Sequence, residues 1–167
     1  MDFSLPPHIE YYRKRYRAFV AEHLLPLELD PGSYDDHENI RLDLLEKMRA
    51  RAKEAGLWAP QMPKERGGQG LPVIGMAACY EEMNYSIFGP VTFNCAAPDD
   101  GNMIVLEKVG TDEQKERWLQ PIVQGSVRSA FAMTEPHPGS DPDKKDSHCR
   151  KQTLRRLSQN VIVGRNV

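Results

Sequence analysis

The sequence predicts a mostly α-helical fold, a helical bundle that is followed by an incomplete β segment. Apolar residues recur at helical spacing in successive stretches, and short loops join these stretches. Near Ser129 the pattern changes toward extended structure, but this portion is too small to form a sheet by itself. A length of 167 residues fits one compact domain with its own hydrophobic core.

Two amphipathic helices are predicted in the first third of the chain. The first runs from about residue 8 to residue 25, where Pro26 is expected to end it because proline cannot extend the hydrogen-bond ladder. The second runs from about residue 38 to residue 55, and Gly56 stands where a left-handed residue closes a helix. Their apolar stripes are Tyr12, Tyr16, Phe19, Val20 and Leu24, then Ile40, Leu44, Leu45, Met48 and Ala52.

A proline- and glycine-rich connector over residues 57–70 contains Trp58 and is predicted to be irregular. It has no GxGxxG pattern, so a dinucleotide-binding fingerprint is rejected. A third helix is predicted over about residues 72–85, apolar on most sides and therefore buried. Its adjacent Glu81 and Glu82 point about 100° apart on a helix, so they are not expected to form a catalytic pair.

Further helices are predicted over residues 99–109, closed by Gly110, and from residue 112 to about Pro121. Thr111 and Gln114 have the spacing of a capping box. The first of these helices is expected to turn four side chains inward: Met103, Ile104, Leu106 and Val109.

Composition excludes several classes of function. A net charge of -2 gives no electrostatic reason to bind nucleic acid or an anionic membrane. Cys79, Cys95 and Cys149 are odd in number and form no CxxC, and the histidines show no ligand spacing, so no metal site is predicted. With no targeting segment and no apolar run long enough for a membrane span, the sequence predicts a cytoplasmic protein with reduced thiols.

The stretch from Phe131 to Asp141 carries the chemistry of most interest. It combines consecutive main-chain donors with a threonine and a serine hydroxyl, and Gly139 would let a ligand approach the backbone closely. The pyrimidine edge of an isoalloxazine ring offers acceptors that such donors could bind. A Thr-Glu-Pro turn occurs in many proteins, so spacing alone leaves an ordinary loop as the alternative. His137, between two prolines, is interpreted as a loop residue.

Several motifs in a fixed order resemble the acyl-CoA dehydrogenase family. The first signature of that family is similar to the run Phe131-Ala132-Met133-Thr134-Glu135-Pro136 followed by Gly139-Ser140-Asp141. Supporting likenesses are the glycine-rich run Gly67-Gly68-Gln69-Gly70, the helix with Glu81-Glu82-Met83, and Gly110-Thr111 with Gln114. The resemblance covers about residues 5–142.

This resemblance implies an FAD-dependent enzyme that oxidises the α,β carbon–carbon bond of a fatty acyl-CoA. It places residues 1–127 in the helical N-terminal domain and residues 128–167 at the start of the middle β domain. Phe131, Ala132, Met133 and Thr134 would line the flavin, with Thr134 bonded to its pyrimidine edge. Ser140 would contact flavin or the CoA moiety, and Phe131 would flank the acyl chain. The implied partners are a homo-oligomer and an electron-transfer flavoprotein.

The likeness ends near Pro142. Pro138 and Lys144 stand where the signature prefers small residues, and residues 160–165 resemble a family strand only faintly. We expect this short form to lack the domain that supplies the glutamate base, so no catalytic residue is assigned and activity should be absent or weak. A shifted or alternatively joined reading frame would explain the basic tail, and sequencing the transcript tests it. The alternatives are a non-enzymatic helical interaction module and an inert fragment that associates with a full-length subunit.

Overall fold

The computed structural model describes residues 4–130 and the backbone of residues 164–165. Its contacts divide the chain into two compact units, Met1–Asp100 and Gly101–Val167. The described residues are mostly helical, which confirms the predicted fold class. The predicted boundary between residues 127 and 128 stays a prediction. The α-helices are α1 (Pro7–Phe19), α2 (Leu25–Glu28), α3 (Leu42–Glu54), α4 (Val73–Met83), α5 (Gly89–Thr92), α6 (Asp99–Val109), α7 (Asp112–Gln114) and α8 (Gln120–Gln124).

Pro26 does not end the first helix, contrary to the prediction. A five-residue π-helical turn, Val20–Leu24, follows α1, and the chain continues into α2 with Pro26 at its start. The N–H of Leu25 donates to the carbonyl of Val20, five residues back. A proline ring clashes with the carbonyl four residues earlier in a regular helix, and a wider turn before it relieves that clash. The same arrangement recurs at Pro121, where a π-helical turn, Lys115–Leu119, leads into α8.

The core of the first unit is built around Tyr16 on α1. Its ring is fully buried and lies edge-on to Phe93, with 4.9 Å between ring centroids. Its hydroxyl donates to the carbonyl of Leu57 at 2.8 Å and lies 3.2 Å from Oε1 of Gln69. The amide of Gln69 in turn donates to the carbonyl of Gly56. One aromatic side chain thus joins α1 to the connector that follows α3.

The helices α1 and α4 are joined through a buried carboxylate. Glu82 is 1% exposed, and Arg17 donates to both of its oxygens, at 2.8 Å from Nε and 2.6 Å from Nη2. Arg13 adds a third contact at 3.3 Å and also pairs with Glu10 on its own helix. Because a buried charge is tolerated only when it is paired, this cluster fixes which residues of α1 face α4.

Helix α3 begins at Leu42, four residues later than predicted, because Ile40 instead forms an antiparallel bridge with Tyr34. Its end agrees with the prediction. Gly56 has φ +62, its N–H donates to the carbonyl of Lys53, and the next N–H, of Leu57, donates to Ala52. This pair of bonds is the Schellman motif, in which glycine accepts the left-handed conformation at little cost.

The connector after α3 is irregular apart from one short 3₁₀ turn, Lys64–Arg66. Trp58 is buried, and the ammonium of Lys53 lies 4.3 Å from the centre of its ring. Gly68 lies so close to the neighbouring backbone that a Cβ there would be 2.2 Å from the carbonyl oxygen of Met62. The glycines of this connector therefore serve close packing and turns.

Two predictions about inward-facing side chains are wrong. Helix α4 is not buried on all sides, since Val73 is 77% exposed and Ile74 is 54% exposed at its start. In α6 the side chains of Met103 and Leu106 are buried as predicted, but Val109 is 77% exposed. Helical spacing predicts which residues share a face, whereas the neighbouring elements decide how much of that face is covered.

Helix α6 begins at the end of the first unit, continues into the second, and has the predicted bounds. The N–H of Gly110 donates to the carbonyl of Leu106, and a Cβ at Gly110 would lie 2.5 Å from that oxygen. The capping box is confirmed: Thr111 Oγ1 accepts from the N–H of Gln114, and Gln114 Oε1 accepts from the N–H of Thr111. After α8, strand β1 (Val127–Arg128) pairs antiparallel with β2 (Gly164–Arg165). The predicted strand 161–163 lies outside the described residues.

Replacing Glu82 by Gln should destabilise the protein by about 2 kcal/mol, because an amide NH₂ would face the guanidinium groups and the attraction between charges would be lost. Urea unfolding of the two proteins measures this difference. The control is Glu81→Gln, since Glu81 is exposed next to Glu82, and its effect should stay within about 0.5 kcal/mol. Equal effects of the two substitutions would contradict a special role of the buried carboxylate.

Gly68→Ala should lower the free energy of unfolding by about 3 kcal/mol, because the added methyl group overlaps the rigid backbone of Met62 and Ala59. Gly101→Ala is the matched substitution, since nothing lies within 4 Å of a Cβ there. In a helix this change should raise the free energy of unfolding by about 0.5 kcal/mol. Thermal unfolding distinguishes the two, and a tolerated Gly68→Ala would count against the close packing of the connector.

Cys79 and Cys95 should resist alkylation in the native protein. Both are buried, and burial raises the pKa of the Cys79 thiol to about 12 and that of Cys95 well above its ordinary value. At a pH of about 9, an exposed thiol with its ordinary pKa of about 8.5 is mostly ionised, whereas these two stay protonated and unreactive. Iodoacetamide labelling followed by peptide mapping should modify them only after denaturant is added, and rapid native labelling would refute the assignment.

Candidate functional site

The site residues predicted from the sequence lie outside the described part of the chain. Phe131, Ala132, Met133, Thr134 and Ser140 all follow Ala130, where the described region ends. Their roles therefore stay predictions. The nearest described structure is the segment over residues 127–130, which leads into them, together with helix α6, which contacts that segment.

This leading segment is held by Asn102, a half-buried residue of α6. Nδ2 of Asn102 donates to Oγ of Ser129 at 2.8 Å and lies 3.5 Å from the carbonyl oxygen of Ala130. Ser129 is itself buried, at 8% exposure. Just before it, β1 pairs with β2, with Val127 opposite Arg165 and Arg128 opposite Gly164. The chain is thus fixed by two sets of contacts before it reaches Phe131. No motif in the sequence marks this contact, because a single Asn inside a helical pattern has no distinctive spacing.

A second polar group lies in the first unit and includes Asp100, in the first turn of α6. The hydroxyl of Tyr80 donates to Oδ1 of Asp100 at 3.1 Å. The thiol of Cys95 donates to the carbonyl of Phe93 at 3.3 Å, and Nε2 of Gln61 donates to the carbonyl of Asn94 at 2.9 Å. No sequence motif marks this group, since its members belong to four separate segments of the chain.

The electrostatics of this group favour a structural role. Burial raises the pKa of Asp100, and burial likewise raises the pKa of Tyr80 far above its ordinary value, with nearby Cys95 and Asp100 adding to the shift. The tyrosine therefore remains a hydrogen-bond donor and does not act as a base at ordinary pH. Asp100 also lies in the first turn of α6, where a carboxylate is stabilised by the helix dipole.

The two adjacent glutamates are separated as predicted. Glu81 is exposed, whereas Glu82 is buried and held by Arg17 and Arg13. They do not form a facing pair, and the carboxylate of Glu82 is fully engaged in holding α1 to α4.

The described residues contain neither a metal-binding cluster nor a membrane-spanning helix. Among these residues, no group of three or more His, Cys, Asp or Glu side chains could hold a metal ion. Over the same part of the chain, no helix combines the length and the apolar character needed to cross a membrane.

Comparisons with known proteins agree with the motifs. The family model described as the acyl-CoA dehydrogenase N-terminal domain matches residues 6–126. The probable acyl-CoA dehydrogenase FadE2 of Mycobacterium tuberculosis is 36% identical over 144 residues, which cover 81% of this chain and 34% of that protein. Acyl-CoA dehydrogenase family member 10 of Mus musculus is 44% identical over 144 residues, covering 82% of this chain and 14% of that protein.

A solved structure has the same fold. A putative acyl-CoA dehydrogenase from Mycobacterium abscessus superposes with a TM-score of 0.71 at 35% identity, covering 83% of this chain and 37% of the other. The chain thus spans about a third or less of the length of these relatives. The family model matches most of the chain, and the sequence identities and the shared helical fold agree with that match. This protein therefore belongs to the acyl-CoA dehydrogenase family, and its residues 6–126 correspond to the N-terminal domain of that family.

Proposed function

We propose that this chain supplies the helical N-terminal domain, and the first flavin-facing segment, of an FAD-dependent acyl-CoA dehydrogenase acting on a fatty acyl-CoA. The observation that carries the proposal is the family-model match over residues 6–126. The signature-like run begins a few residues after this match, at Phe131. The extended segment at Val127–Arg128, which leads out of α8 toward that run, supports it.

The donors of this run fit the acceptors of an isoalloxazine ring. Main-chain N–H groups of residues 131–134 and the hydroxyl of Thr134 can donate to the carbonyls and nitrogen of its pyrimidine edge. When bound, FAD supplies the redox chemistry by accepting hydride from the β-carbon of the substrate. Ser140 would add a donor to the flavin or to the CoA moiety, and Phe131 would exclude water beside the acyl chain.

A polypeptide of these 167 residues should have no turnover, or very little, by itself. Removal of the α-proton needs a positioned base, and none of its residues is assigned that role. A flavin held on one side only would also remain open to water, which weakens binding. The proposed partners are a second copy of this chain in a homo-oligomer, or a full-length subunit, together with an electron-transfer flavoprotein as electron acceptor.

A non-enzymatic helical interaction module remains the second candidate. The observation in its favour is the exposure of large apolar side chains, including Leu29 at 84% and Val73 at 77%. Exposed apolar surface favours association with another protein. Colourless protein that binds a full-length acyl-CoA dehydrogenase subunit would support this candidate over a flavin-binding domain.

Purified chain that has been mixed with FAD and freed of unbound FAD should retain a visible flavin band, and titration should quench flavin fluorescence, even without turnover of acyl-CoA. Thr134→Val should weaken FAD binding by roughly fivefold to tenfold, since one hydrogen bond to the ring is lost. Thr111→Val is the matched control: it removes the capping hydroxyl of α7 and should lower stability by about 1 kcal/mol while leaving FAD affinity unchanged.

Two results would count against the proposal. One is protein that retains no flavin band after unbound FAD is removed and does not change the fluorescence of FAD. The other is equal FAD affinity of the wild-type protein and the Thr134→Val variant.

A further inference from the structure

We infer that Lys53 is a site of covalent acylation by acyl-CoA thioesters, and the choice of this acyl donor rests on the proposed function. Lys53 lies in the last turn of α3 and is exposed, so a donor in solution can reach its amino group. It shares the ring of Trp58 with a second cation, Arg49. A lysine that packs on apolar surface beside another positive charge has the surroundings that make its amine nucleophilic.

The first observation is that two cations lie over one ring. Nζ of Lys53 is 4.3 Å from the centre of the Trp58 ring, and Cζ of Arg49 is 5.9 Å from it. Lys53 and Arg49 are four residues apart on α3, so their side chains are neighbours on one face of the helix, where like charges repel each other. The positive charge on Lys53 is therefore disfavoured by its neighbour.

The second observation is that the charge of Arg49 is fixed in place. Arg49 is 7% exposed, and its Nε donates to the carbonyl of Val91 at 3.0 Å. A guanidinium group does not lose its proton in a protein. Because this neighbour is both anchored and permanently charged, loss of the proton from Lys53 relieves the repulsion.

The third observation concerns Trp58, which is 6% exposed. An aromatic ring attracts a cation, and this attraction opposes loss of the proton. The ring of Trp58, however, also has the guanidinium of Arg49 over it. The balance favours the neutral amine, since burial and, after it, the charge of Arg49 lower the pKa of Lys53.

The reaction is an acyl transfer without a change of oxidation state. The lone pair of the neutral Lys53 amine forms a C–N bond to the thioester carbonyl carbon, and the C–S bond breaks. Coenzyme A leaves as a thiolate and takes up the proton that the nitrogen loses, so the products are an amide and a free thiol. Because the amide is neutral, acylation removes one of the two positive charges beside Trp58, as loss of the proton does.

The experiment measures acetylation at each lysine of the purified full chain. The protein is incubated with acetyl-CoA at a pH of about 8, and peptide mapping by mass spectrometry follows each site over time. Lys47 is the internal control, since it is an exposed lysine of the same helix. Lys53 should be acetylated about threefold faster than Lys47 or more, because a lowered pKa leaves a larger fraction of free amine.

Two substitutions of Arg49 test the cause. Arg49→Gln removes the neighbouring charge but keeps a side-chain donor, and it should slow the acetylation of Lys53 by about threefold while the rate at Lys47 stays constant. Arg49→Lys keeps the positive charge and should preserve the fast reaction at Lys53. Far-UV circular dichroism checks the fold of each variant, and the wild-type comparison of Lys53 with Lys47 decides the question where a substitution disturbs the fold.

The outcomes separate this inference from the proposed function. Acetylation of Lys53 that is no faster than that of Lys47, or that folded Arg49→Gln protein retains in full, would refute the acylation site. Protein that binds FAD without this preference for Lys53 leaves the proposed function standing. Fast acetylation of Lys53 in protein that binds no FAD supports the acylation site while the proposed function fails.

Discussion

The fold of the first unit depends on the neutralisation of one buried carboxylate. Glu82 would be very costly to bury alone, and it is tolerated because Arg17 donates to both of its oxygens and Arg13 to one. These arginines lie one helical turn apart on α1, so the contact fixes the rotation and the register of α1 on α4. The same register brings Ile9 against Gly75, where a Cβ would lie 2.7 Å from Cδ1 of Ile9. An apolar pair at this position could hold the helices with equal strength.

With α1 in this position, Tyr16 lies in the core. Its ring packs edge-on against Phe93, and its hydroxyl donates to the carbonyl of Leu57. The glutamine of the glycine-rich connector completes the network by contacting Tyr16 and Gly56. Because Gly68 packs directly on the carbonyl of Met62, the connector can fold tightly enough to reach this position. The glycine-rich motif therefore has a packing explanation in this structure, and no phosphate or flavin contact is needed to account for it.

The second unit contains residues 127–130, which directly precede the residues proposed to bind flavin. Thr111 and Gln114 cap the start of α7, Gly125 ends α8 with φ +75, and the chain then enters β1. Pairing of β1 with β2 and the amide of Asn102 hold the next residues. The chain belongs to the acyl-CoA dehydrogenase family, and the run that resembles the signature of that family begins at Phe131, directly after Ala130.

The sequence by itself determined the features that depend on short-range chemistry. The helical class, the bounds of α6, the capping box at Thr111 and the left-handed Gly56 follow from spacing and from the backbone preferences of individual residues. Only the tertiary structure decided the rest. Pro26 and Pro121 stay inside helical stretches because a π-helical turn precedes each one, and Val109 faces solvent because no described element covers it. The partners of Glu82 and of Asn102 lie far away in the chain. A contact between distant segments depends on how whole helices are placed, and local residue patterns do not encode that placement.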